Sequence, residues 1–244
     1  MILFLITTLA YLGALLVIKP APSSLKAAPL TFTENFKLVR ASMFSGVFIL
    51  FVFLITSEFG FRVVDEHIYA ILSLNNDFEK ASLWPFQSVT HLFIHANPIH
   101  LLANVVGLGV VSVYERRVGA RRFISVLFVG SVASIPSILF YSETTTVCGI
   151  SGGVFGLAAA YFTDEDELTL KEWVMAILFF AVLASMIALQ GEFNNASNEA
   201  LDMKVDHIGH LMGALGTIVY CRLRPNRLIK ASTGQIKAPA SPPL

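Results

Sequence analysis

Apolar blocks recur along the whole chain, at residues 1–18, 41–58, 99–114, 123–141, 150–162, 173–189 and 205–222. A helix needs roughly 20 mainly apolar residues to cross a hydrocarbon core. In lipid, every backbone N–H and C=O must find its partner within the protein, so spanning blocks of this kind become helices. Composition points the same way. Of the 244 residues 55% are hydrophobic and 14% are charged, against about 25% charged in an ordinary soluble domain. The sequence therefore predicts an all-α polytopic membrane protein with a single membrane domain. The formal net charge of +0 gives no sign of a nucleic-acid partner. The cysteines, Cys148 and Cys221, have neither the number nor the spacing of a disulfide framework or a zinc site.

Block 1–18 carries no charged side chain, and its nearest basic residue, Lys19, follows it. A secretory signal peptide has its basic residues first, so the expectation is a retained N-terminal transmembrane helix with its N-terminus outside. Residues 19–40 read as a cytoplasmic linker, 41–222 as the membrane domain, and 223–244, rich in proline, as a disordered cytoplasmic tail. The stretch 59–98 mixes polar and aromatic residues and holds no spanning run. A loop of that length is usually functional or partly embedded. Lysines and arginines gather in 19–40 (Lys19, Lys26, Lys37, Arg40), in 115–122 (Arg116, Arg117, Arg121, Arg122) and beyond 222. Alternating crossings place all three clusters on one side, which the positive-inside rule makes cytoplasmic. Ser151 and His210 then each open a segment entered from the outer face.

Three segments carry candidate chemistry. In GISGGVFG (149–156), Ser151 stands between Gly149 and Gly152 at the mouth of an apolar block. A serine hydroxyl is a weak nucleophile unless a base lies within hydrogen-bond reach. The glycines permit a sharp turn and close approach, and a helix starting at Ser151 directs its N–H groups toward the serine oxygen. In VDHIGHLMGALGT (205–217), Gly209, Gly213 and Gly216 let the helix approach a neighbour closely. His210 shares a face with Gly213 and is the expected base, whereas His207 lies nearly a turn closer to the aqueous end. In WPFQSVTHLFIHANPIHLLAN (84–104), His100 and Asn104 fall on one helix face as paired donors for a developing oxyanion.

Each element has a blander reading. Gly152 and Gly156 make a small-xxx-small packing face, and His91 and His95 suit hydrogen bonds to loop backbone. A zinc site from His91, His95 and His100 lacks the helix-borne His-Glu-x-x-His pattern. Buried histidines also serve as proton relays in transporters, but a relay needs no glycine-flanked serine. G-x-S-x-G also marks the elbow of α/β-hydrolases, and that motif requires a sheet strand these flanks do not supply.

The assembled motifs resemble the rhomboid intramembrane serine proteases. HxxxHxxxxHxxxN occurs at His91, His95, His100 and Asn104, ExRxG at Glu115, Arg117 and Gly119, GxSG at Gly149, Ser151 and Gly152, and HxxG at His210 and Gly213. The resemblance implies a six-helix core over 41–222, preceded here by the extra N-terminal helix. It also implies a Ser–His dyad with Ser151 as nucleophile and His210 as base, and an oxyanion site from His100, Asn104 and the Ser151 N–H. Phe155 is expected to pack against His210, with His95 in support and Glu115 and Arg117 as structural hydrogen-bonders. The helix 173–189 is expected to act as a lateral gate. Substrates would be transmembrane helices of other proteins, cleaved without metal or cofactor. Localisation would be a bacterial inner membrane, with the active site open to the external or periplasmic side. The alternative is a non-catalytic rhomboid-like binder of membrane proteins.

Overall fold

In the computed structural model the described residues are 1–19, 30–141, 144–164 and 205–226, together with positions 170, 174, 181 and 185. Helices α1 (Ile2–Val17), α2 (Phe32–Thr56), α3 (Glu66–Leu72), α4 (Trp84–Thr90), α5 (Pro98–Val118), α6 (Ala120–Ser134), α7 (Ser151–Thr163) and α8 (His207–Leu223) account for most of them. The chain is an all-α polytopic membrane protein, as its apolar blocks predict. Among the described residues the spans Phe32–Thr56, Pro98–Val118 and Ala120–Phe140 are long and apolar enough to cross a bilayer. The expected lateral-gate helix at 173–189, needed for the six-plus-one count, lies almost wholly outside the described residues, as do residues 165–169 and the tail beyond 226.

The core is apolar, with Ile49, Leu50 and Phe53 of α2 buried in it, but the outer face is apolar as well. On α2, Phe44, Phe48, Phe51 and Ile55 recur at helical spacing and all are exposed, while Asn35 and Ser42 are fully buried. An apolar outer face of that extent belongs against lipid. Inside, polar groups find one another. Glu115 of α5 is fully buried, and its carboxylate accepts from Ala41 N, Ser42 N and Ser42 Oγ at 2.8, 2.8 and 2.7 Å. Three donors on one carboxylate offset much of the cost of taking it out of water. They also fix α2 against α5.

The linker is shorter than the sequence suggests. Thr31 and Glu34 form a reciprocal capping box, which satisfies two otherwise orphaned N–H groups and starts α2 at Phe32. Residues 32–40, read from the sequence as linker, are therefore helical. The extra helix α1 is tied into the core: Tyr11 Oη donates to Ser42 O at 2.7 Å, and Asn35 Nδ2 donates to Leu16 O at 2.7 Å. Arg116 binds Asn35 Oδ1 and the Ile18 carbonyl, so the end of α1 meets the basic end of α5. At the same end, Asp164 accepts from Tyr114 Oη at 2.5 Å and from Arg122 Nη2 at 2.7 Å. The basic turns at 19 and 115–122 thus share one end of the bundle, as the charge pattern requires.

Glycines bring α6, α7 and α8 into backbone contact. A methyl added at Gly156 would stand 3.0 Å from Gly130 Cα and 3.3 Å from Gly213 O. This seam runs up to the end of the bundle where α5, α7 and α8 begin. There the stretch 59–98 forms α3, α4, two short 3-10 turns and a strand, Leu74–Asn75, paired antiparallel with Thr146–Val147 just ahead of GISGG.

Candidate active site

Ser151 is the first residue of α7. The turn before it depends on Gly149, whose φ of +100° lies in the region that L side chains avoid. Space imposes the same requirement, because a Cβ on Gly149 would lie 2.8 Å from His100 Nε2. The Gly149 N–H donates to His91 O at 2.8 Å, anchoring the turn to the loop that carries the histidines. His91 and His95 each direct Nδ1 at a backbone carbonyl, Gln87 O at 2.7 Å and Phe93 O at 3.3 Å.

His210 lies one turn into α8 and reaches across the glycine seam. Its Nε2 is 2.8 Å from Ser151 Oγ, a distance that suits transfer of the serine proton to an unprotonated Nε2. Phe155, one turn below Ser151, stacks on the imidazole with ring centroids 4.4 Å apart and planes 15° from parallel. That contact fixes the ring plane without competing for either nitrogen. Among the described residues His210 Nδ1 has no hydrogen-bond partner, and Ser151 and His210 form a pair there. His207 is exposed, and its ring lies 6.4 Å from that of His210. His207→Ala is therefore expected to keep its rate of active-serine labelling within about twofold, as for a surface change away from the chemistry.

His100 joins the same cluster. It sits in the first turn of α5, whose N-cap Asn97 accepts from His100 N at 2.9 Å, and its ring lies 5.1 Å from that of His95. Asn104, one turn on, donates from Nδ2 to His100 O at 3.0 Å. Among the described residues its buried Oδ1 has no partner, and its second amide hydrogen is uncommitted by that bond. The structure thus gathers Ser151, His210, Phe155, Gly149 and His100 at one place, and ties Asn104 to His100 rather than to Ser151. Sequence reasoning missed Gly130, which stands opposite Gly152 and Gly153 on α6. It also missed Asp206, whose charge directly before a membrane helix was the available signal.

A family model described as "Rhomboid domain" matches residues 81–226 of the chain. A curated protein, "Rhomboid-like protease 3" of Toxoplasma gondii, is 29% identical over 153 residues, which cover 59% of this chain and 53% of that protein. The chain therefore spans about half the length of the curated relative it matches.

Proposed function

This chain belongs to the rhomboid family, and on that premise we propose that it is an intramembrane serine endopeptidase with Ser151 as nucleophile and His210 as general base. The observation that carries the reading is the 2.8 Å separation of Ser151 Oγ and His210 Nε2, held between two helices in glycine-lined contact. As Oγ attacks the scissile carbonyl, its proton passes to His210 Nε2, and the carbonyl oxygen becomes an oxyanion. His210 then gives that proton to the leaving amine, which departs and leaves an ester on Ser151. Water, deprotonated by His210, hydrolyses the ester and restores the enzyme. The nearby donors are the α7 N-terminal N–H groups, His100 and the second N–H of Asn104; they are assigned to the oxyanion.

The substrate class is the transmembrane helix of another protein, unwound locally so that its carbonyl reaches Ser151. His91, His95, His100, Asn104, Ser88 and Thr90 would furnish the polar cavity that hydrolytic water needs. The active site would open at the end of the bundle away from the arginine clusters, on the non-cytoplasmic face by the charge rule.

The test is labelling with a fluorophosphonate probe alongside cleavage of a reporter transmembrane substrate. The expected result is covalent labelling at Ser151, lost with all cleavage in Ser151→Ala. Cleavage that survives in that variant would sink the mechanism, and a native protein that neither labels nor cleaves would favour the binder. His100→Ala and Asn104→Ala are each expected to lower kcat by roughly 10²–10³, the usual loss of about 2.7–4 kcal/mol for one oxyanion donor. A full-rate Asn104 variant would take Asn104 out of the site.

A further inference from the structure

His210 is only the fourth residue of α8, in the turn where helices fray and where the first N–H groups lack intrahelical partners. A base placed there needs something to hold the helix end. Asp206 is the residue before the helix. Its backbone carbonyl accepts the first helical bond from His210 N at 3.0 Å, and its side chain accepts from Gly209 N at 2.7 Å as an N-cap. An ordinary cap would stop at that bond. Here the same carboxylate also accepts from Ser137 Oγ at 2.5 Å and from Tyr141 Oη at 2.8 Å.

Ser137 lies in the 3-10 turn Ile135–Phe140 that continues α6, and Tyr141 follows that turn. Tyr141 is itself held, because its carbonyl accepts from Asn76 Nδ2 at 3.1 Å and Asn76 Oδ1 accepts from Thr145 N at 2.7 Å. The chain of contacts runs from the loop that anchors Gly149, through Tyr141, to the start of the His210 helix. It reaches the start of α8 without passing through Ser151.

We propose that Asp206 is a positioning residue, whose carboxylate clamps the start of α8 to Ser137 and Tyr141 and so sets His210 against Ser151. The proposal rests on the Ser151–His210 reading above. A displacement of about 1 Å at a reacting pair costs on the order of 10² in rate, so a loosened clamp acts on chemistry before it acts on the fold.

The experiment measures fluorophosphonate labelling rate, kcat, KM and thermal unfolding on the full chain in detergent. Asp206→Ala is expected to slow labelling and lower kcat by roughly 10- to 100-fold with KM little changed, and Asp206→Asn, which keeps the cap and the Tyr141 contact, to recover most of the loss. Tyr141→Phe is expected to slow labelling about 3- to 10-fold in the native background and less than about twofold in Asp206→Ala, the non-additivity of a shared contact. Labelling of Asp206→Ala at the native rate, or independent and additive effects of Tyr141→Phe, would overturn the clamp. If Asp206→Ala does not fold, Tyr141→Phe and Ser137→Ala alone decide, and native-rate labelling in both overturns it. A native protein that fails to label at all would instead overturn the dyad.

Discussion

His210→Ala should lower turnover of a reporter transmembrane substrate by up to about 10⁶-fold, the loss seen when a serine protease loses its histidine base. The loss is concentrated in this one side chain because its Nδ1 has no hydrogen-bond partner among the described residues. Among the described residues no third group shares the task of deprotonating Ser151. What would remain is the α7 N-terminus and the donors near His100, which stabilise an oxyanion but cannot take the proton of Ser151 Oγ. The imidazole is half-buried and stacked on Phe155, so its removal leaves a gap beside the ring but no unpaired charge. Unfolding temperature in detergent should therefore fall far less than activity does. Activity within tenfold of the native rate in a folded His210→Ala protein would show that another group is the base.

The proposed site was legible because the chemistry assigned to it needs polar side chains that lipid otherwise excludes. Ser151, His210, His100 and Asn104 stood out against apolar flanks, and spacing alone put His100 and Asn104 on one helix face. The Ser151–His210 contact could be expected from glycines on both segments. How Asn104 uses its amide could not, because a side-chain amide one turn after His100 meets a backbone carbonyl as readily as it meets the site. Asp206 escaped notice for a related reason: an aspartate ahead of a helix reads as an ordinary cap, and its hydroxyl partners Ser137 and Tyr141 lie far off in the chain.

The fold was legible where hydropathy carries it and less so at the ends of elements. The start of α2 was placed too late because Asn35, Lys37 and Arg40 look like linker residues. A capping box decides a helix start locally, whatever the hydropathy that follows. The packing of α1 on α2 and α5 also depends on polar contacts, through Tyr11, Asn35 and Arg116, that no periodicity announces. Gly130 is a single glycine in an apolar block, and only its position opposite Gly152 and Gly156 gives it meaning.

That seam sets the second large effect, on stability as well as rate. Gly213→Val should unfold the protein at a markedly lower temperature in detergent and abolish active-serine labelling. A Cβ at Gly213 would sit inside van der Waals contact of Gly152 O and 2.9 Å from Gly130 O. Both obstacles are backbone carbonyls in helices, so neither can swing aside as a side-chain end would. The cost should exceed the about 1–3 kcal/mol typical of core overpacking. Relief is available only by moving α8 away from α6 and α7, which also carries His210 away from Ser151. Gly213→Ala meets the same carbonyls with its one methyl and should show a smaller loss in both measurements. Gly13 on α1 has nothing within 4 Å of its Cβ position, so Gly13→Ala should be neutral or stabilising by a few tenths to about 1 kcal/mol through the unfolded chain. If Gly213→Val and Gly13→Ala unfold alike, close backbone approach is not what holds α6, α7 and α8 together.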